Sequence, residues 1–341
     1  MKSIGITSTV PLEVLLAAGY APLDLNNVLV STPHPERFIS AAERDGFPLN
    51  CCTWIKGIYS ICREQGIATV LGVTGGDCSN TLMLLEVLRR RGVRTLPFAY
   101  PAEPAPALVE PALKQLAGAL GTTLAAAEAV REQLRPVRAL THELDTLTWR
   151  EGVVSGRENH LWLVATSDFN GDIENYTTGL KELLAECRRR QPYPADYLRL
   201  GYLGVPPVYA RELYPFLEKN GARVVFNEIP RQFAMPETVN SLAEQYARYT
   251  YPYGLEERLR DIRQAATQRH LDGIIHYVQA FCHRGIADIV LREALDLPML
   301  TIEGNTDFSL NSHLKTRLEA FLDMLRQRQH TKGRLMAESR P

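Results

Sequence analysis

No apolar run in the 341-residue sequence approaches the roughly 18–20 residues needed to cross a bilayer, so no membrane-spanning helix is expected. Neither sign of charge is in surplus: 38 Lys and Arg stand against 39 Asp and Glu, a formal net charge of −1. A chain so balanced has no overall basic field to gather nucleic acid or an anionic membrane. No GxGxxG follows an expected strand and no GxxxxGK[ST] occurs, so neither a dinucleotide site nor a Walker-type ATP site is indicated. The absence of GxSxG disfavours a hydrolase of the nucleophile-elbow type. The absence of CxxC removes the short spacing of zinc ribbons and bacterial ferredoxins. The opening residues, MKSIGITSTVPLEVLLAAGY, carry only Lys2 as a positive charge before Val10, and Pro11 and Glu13 interrupt the apolar stretch. A secretory leader is therefore not expected, and the expected compartment is the cytoplasm.

What remains is ordinary globular material, 45% hydrophobic and 23% charged. At about 150 residues per domain, the length suggests two domains, each able to bury a core without disulfides. The six cysteines, Cys51, Cys52, Cys62, Cys78, Cys187 and Cys282, are then expected to stay reduced and open to a metal.

Short β-branched runs alternate with helical stretches. The first part reads as strands over 3–8, 26–31, 68–73 and 93–98, with helices over 12–18, 35–44, 54–64 and 79–91. A proline-rich passage from Tyr100 to Pro111 leads into helical sequence reaching Trp149, with breaks near Gly121 and Pro136. The alternation resumes with strands over 161–166, 197–202, 222–227, 273–278 and 298–302 and helices over 176–190, 209–219, 239–248, 255–270, 285–294 and 312–328. This predicts an α/β protein with two Rossmann-like, flavodoxin-like parallel-sheet lobes. The expected division is a first lobe over 1–105, a helical bridge over 106–155, a second lobe over 156–330 and a flexible tail over 331–341.

Ligands of open α/β sheets sit outside the carboxyl ends of strands, so residues just after each strand matter most. Cys78, in VTGGDCSNT, follows one strand and precedes a helix, where the helix dipole favours a thiolate. Cys282, in QAFCHRG, occupies the corresponding place in the second lobe and could face Cys78 across a cleft. Cys51 and Cys52 stand together before a helix. Cys62 lies ten residues past Cys52, which on an unbroken helix puts it about 15 Å along the axis, so a core position is the better reading. Cys187, late in an amphipathic helix, reads as structural. Soft thiolates without a His-rich partner segment favour an iron–sulfur group over zinc.

The cysteine-bearing segments resemble the D-component-like subunits of 2-hydroxyacyl-CoA dehydratases, a superfamily that includes benzoyl-CoA reductase subunits and double-cubane cluster proteins. The likeness lies in VPLEVLLAAGYAPLDL (10–25), CTWIK (52–56), GDCSNT (76–81), AFCHRG (280–285) and LDLPMLTIEGNTD (295–307), with Arg317 and Phe321 in the helix that follows. The resemblance implies a [4Fe–4S] cluster on Cys52, Cys78 and Cys282, with one iron open to water, hydroxide or substrate. It implies pairing with a second copy or related subunit. It also implies a separate ATP-hydrolysing iron–sulfur activator protein that supplies one electron for radical dehydration of a 2-hydroxyacyl-CoA. The double-cubane relatives imply an alternative, an [8Fe–9S] cluster that reduces small molecules, for which Cys51 and Cys62 are additional candidate ligands. A non-catalytic iron–sulfur carrier or maturation partner is an alternative of another class. RYTYPYG (248–254) stands where some relatives carry a cysteine-proline element.

Other polar groups have two readings each. His283 could hydrogen-bond a cluster sulfur. Tyr246, Tyr249, Tyr251 and Tyr253 could line a channel or interface, or pack a loop on the core. Glu303, Asn305 and Asp307 could orient a ligand or shape a loop. SDFNGD (167–172) reads as a turn with a helix cap, lacking the full ligand series of a calcium loop. Glu13 reads as a first-turn acidic residue of its helix.

Overall fold

A computed structural model of the protein describes residues 2–338, with side chains described through residue 331. It contains two four-stranded, wholly parallel sheets. The first comprises β1 (Lys2–Ile6), β2 (Tyr20–Asp24), β3 (Thr69–Gly75) and β4 (Arg94–Ala99), in the order β2-β1-β3-β4. The second comprises β5 (Leu198–Leu203), β6 (Ala222–Asn227), β7 (Gly273–Gln279) and β8 (Met299–Gly304), in the equivalent order β6-β5-β7-β8. The architecture is the expected α/β pair of Rossmann-like lobes. In each sheet the chain winds one way from the first strand and the other way from the third, leaving a crevice between those two strands at their carboxyl ends.

Two expected strands are helices instead. Residues 26–31 lie in the helix Leu25–Ser31, because the Asp24 side chain accepts from Asn26 N at 2.9 Å and caps it. The strand is the preceding YAPLD, whose Pro22 is tolerated because β2 lies at the sheet edge. Residues 161–166 fall in the helix Gly156–Val164 and the 3-10 turn after it. The helix starts at a capping box in which Ser155 and Glu158 satisfy each other's backbone N–H groups. Helical structure therefore dominates from Pro106 to Cys187: Pro106–Leu120, Leu124–Thr146, Gly156–Val164 and Ile173–Cys187. The expected break at Gly121 is present, with φ +76°, whereas Pro136 lies inside an unbroken helix. The last helix, Ser312–Glu338, continues through most of the expected flexible tail, and 339–341 lie outside the described residues.

Packing crosses the chain order. Tyr246, Tyr249, Tyr251 and Tyr253 join Tyr100 and the β1 and β3 residues Ile4, Ile6, Leu71 and Val73 in the first lobe's core. Glu13, fully buried, binds Arg138 Nη2 at 2.6 Å, Gln245 Nε2 at 2.8 Å and the Tyr246 hydroxyl at 2.7 Å. One carboxylate thus ties the first helix to the helical bridge and to the segment Leu242–Arg248.

Candidate functional site

The carboxyl ends of β1, β3, β5 and β7 border one cavity of about 420 Å³. Thr7 and Ser8 follow β1, Asp77 and Cys78 follow β3, Val205 to Val208 follow β5, and Gln279 and Cys282 end or follow β7. The crevices of both sheets therefore open into the same space, of a size ordinary for a small-molecule site.

Cys52, Cys78 and Cys282 all line this cavity, and each stands where chain turns into helix. Cys52 is the N-cap residue of Thr53–Glu64, Cys78 comes two residues before Asn80–Arg90, and Cys282 caps the 3-10 turn His283–Ile286. Burial pushes the Cys52 thiol up to about 12, against the pull of the backbone amides of Trp54 and Ile55. Cys78 is raised to about 11, first by burial and then by the charge of Asp77, with the amides of Asn80 and Thr81 opposing. Burial also raises Cys282, opposed by the amides of Arg284 and Gly285 and by the Arg284 charge. For each thiol neighbouring backbone amides favour the thiolate, but burial prevails and raises all three above the ordinary cysteine value.

The two lobes are tied at this site. Arg284 Nη2 donates to Gly76 O at 2.7 Å, and its guanidinium lies 4.5 Å from the centre of the Tyr251 ring. Gly76 has φ +87°, and a Cβ there would lie 2.8 Å from Pro252 O, so only glycine permits this approach. Trp54 Nε1 donates to Gln279 Oε1 at 3.1 Å, and the Tyr277 hydroxyl donates to the same oxygen at 2.7 Å. With Oε1 fixed as acceptor, Gln279 Nε2 is buried without a partner among the described residues, as is Arg284 Nε. These two donors, at the end of β7 and in the turn after it, suit an acceptor-rich anionic group.

The other thiols do not line the cavity. Cys62 is buried in the apolar cluster of Leu25, Phe38 and Ile58, which also holds Cys52, and burial raises its thiol to about 12. Cys187 is buried among Leu180, Leu184 and Val154. Half-buried Cys51 packs at the edge of the Cys62 cluster and is not among the cavity-lining residues. His283 lines the cavity, its pKa lowered by burial and by Arg284. Among the described residues, no group of three or more His, Cys, Asp or Glu side chains closes on a single metal ion.

A carboxyl pair overlooked in the sequence lies at the cavity wall. Asp24, which lines the cavity, donates from its backbone N to Asp168 Oδ2 at 2.8 Å. Both side chains are buried, and among the described residues no cation hydrogen-bonds either. Burial raises Asp24, and burial together with the Asp24 charge raises Asp168 to about 6. The turn reading of 167–172 also holds: Asp168 accepts from Asn170 N and Asp172 caps the next helix. Asp307 shapes its loop by accepting from Ser309 and Asn311, and Asn305 accepts from Thr53 Oγ1 at 3.3 Å. Of the four tyrosines, all in the core, Tyr251 also lines the cavity.

The profile of the 2-hydroxyglutaryl-CoA dehydratase D-component family matches residues 7–325. The chain belongs to this family. The match covers every strand but β1 and all three cavity cysteines, making the chain a D-component, dehydratase-like subunit. D-components are associated with iron–sulfur clusters and imply an activator partner. Among curated proteins, none matches the chain significantly. No helix among the described residues is long and apolar enough to cross a membrane.

Proposed function

We propose that this D-component holds a [4Fe–4S] cluster on Cys52, Cys78 and Cys282 and acts in the ATP-activated dehydration of a 2-hydroxyacyl-CoA. The observation that carries this reading is that three of six cysteines, from both lobes, line one cavity behind equivalent helix starts. A cubane needs sulfurs roughly 6–7 Å apart, wider than a single ion tolerates, in keeping with thiols that share a cavity without closing on one ion. Such a cluster would supply one electron to the thioester carbonyl and leave one iron free of protein ligand. Neither Cys51 nor Cys62 lines the cavity, which favours four irons over the [8Fe–9S] alternative.

The chain's own groups have matching tasks. The neighbouring backbone amides favour the three thiolates, and the free N–H groups of Gln279 and Arg284 offer hydrogen bonds to inorganic sulfur. The Asp24–Asp168 pair retains a proton into the mildly acidic range, and a carboxyl at the cavity wall can give that proton to a departing hydroxyl group. The electron would come from an ATP-hydrolysing iron–sulfur activator, since the chain carries no nucleotide-binding fingerprint. A second copy or a related subunit would complete the enzyme.

Anaerobic reconstitution with iron and sulfide tests the reading. About four irons per chain are expected. Cys52→Ser, Cys78→Ser and Cys282→Ser should each lower that count, while Cys62→Ser and Cys187→Ser retain it. About eight irons would favour the double-cubane alternative, and colourless protein with stoichiometric zinc would overturn the reading. Adding activator, low-potential reductant and ATP should change the EPR spectrum only with ATP. Reduction by reductant alone would point to a simple electron carrier.

A further inference from the structure

The cavity walls speak to the acyl group. Apolar side chains make much of the wall: Ile55 and Ile58 from the helix after Cys52, Leu161 and Val164 from Gly156–Val164, and Val205 and Val208 after β5. Uncharged polar groups, among them Ser8, Asn26, Asn27 and Asn170, share the remainder. The lining charges are placed unevenly. Asp24 and Asp77 are carboxyls within the walls. Arg284 is committed to Gly76 O and to the Tyr251 face. His160 is buried and bonded to the Tyr214 hydroxyl through Nδ1 at 2.9 Å, and its pKa is lowered to about 3 by burial, so it carries no charge. His283, exposed beside Cys282, has its pKa lowered by burial and by Arg284. Arg157 and Arg211 are exposed side chains, and Arg211 Nη2 also donates to Ser31 O at 3.1 Å at the surface.

We propose that the cavity takes a 2-hydroxyacyl thioester whose side chain is apolar and uncharged, with the carrier's phosphates at Arg157 and Arg211, and that it rejects an acyl chain ending in a carboxylate. This rests on the acyl-CoA reading above and deepens it. A terminal carboxylate entering these walls would lose its water and meet Asp24 in place of a cation, a strong penalty for a buried charge. An apolar chain of the same shape would instead bury its surface against Ile55, Ile58 and Val208. An exposed arginine pair pays no such penalty and matches phosphate geometry. The subunit would thus work on the uncharged members of the substrate class.

The test uses two nearly isosteric saturated thioesters that cannot be dehydrated, 5-methylhexanoyl-CoA and glutaryl-CoA. Each is titrated against the anaerobically reconstituted full chain and the apoprotein. The fluorescence of Trp54, which lines the cavity, reports binding, with calorimetry alongside. The methylhexanoyl ester should bind at least tenfold more tightly than glutaryl-CoA in both forms. Asp24→Asn should narrow the gap, and Arg157→Ala should weaken both esters alike. Equal affinities, or tighter binding of glutaryl-CoA, would overturn the proposal while leaving the acyl-CoA reading intact. If neither ester nor free CoA binds, the acyl-CoA reading itself falls. The wild-type comparison decides the matter even where a variant does not fold.

Discussion

At the scale of single residues, two buried acidic sites pull stability in opposite directions. The Asp24–Asp168 pair binds its proton more tightly folded than unfolded, since burial raises both groups and the Asp24 charge raises Asp168 further. Its contribution is complete below about pH 4 and is lost as pH rises through about 6. Asp24→Asn keeps an oxygen for Asn26 N and removes one charge, so it should flatten this fall and add about 1–3 kcal/mol at pH 7.5. Urea unfolding from pH 5 to 8 measures it, and a variant less stable throughout that range would refute the account. Glu13 behaves conversely. Burial would raise it, but Arg138, Gln245 and Tyr246 together hold it below the ordinary carboxylate range, so its contribution disappears as pH falls. Arg138→Met strands this carboxylate in the core and should cost about 3–5 kcal/mol. A loss under about 1 kcal/mol at neutral pH would show that Gln245 and Tyr246 suffice to hold it.

Legibility at this scale depended on sequence distance. The positions of Cys78 and Cys282 could be read because a strand ends just before each. The partners of Glu13 lie 125 and 232 residues away, and Asp24 and Asp168 are 144 apart, so no local pattern announced either network.

At the scale of elements, strands buried on both faces were the plainest signal, and residues 222–227 coincide with β6. The two expected strands that are helices share a cause: each is a short β-branched run whose preceding cap starts a helix. Asp24 ahead of Asn26, and Ser155 three residues before Glu158, are both helix-start signals visible in the sequence. The ties around the cavity were not visible, since they join loops from different sheets. Arg284 links the turn after β7 to the turn after β3. Arg284→Ala should therefore speed amide exchange in both 76–82 and 280–286 without altering it around Cys187. Mass-spectrometric hydrogen exchange on the apoprotein provides the measurement, and an unchanged rate at 76–82 would show that the tie is dispensable.

For the whole molecule, the two sheets share a strand order and present their crevices to one another, and the proposed ligands come from both. Anything bound to all three thiols would stabilise the assembled pair of lobes over the separated one. Stripping iron from reconstituted protein with a chelator should lower the thermal midpoint by several degrees. The same treatment of Cys282→Ser should change the midpoint little. An equal drop in wild type and variant would mean that the metal is held elsewhere.

The placement of β7 has a consequence for biosynthesis. This strand sits between β5 and β8, so the wall bearing Gln279 and Cys282 does not exist until the final quarter of the chain has been made. Cys52 and Cys78 leave the ribosome more than two hundred residues earlier. During that interval these two lack the thiol of Cys282 beside them. On the proposed ligand set, a cofactor spanning all three would be completed only after the last lobe is made, so its insertion would follow synthesis of the second sheet rather than nucleate the first lobe.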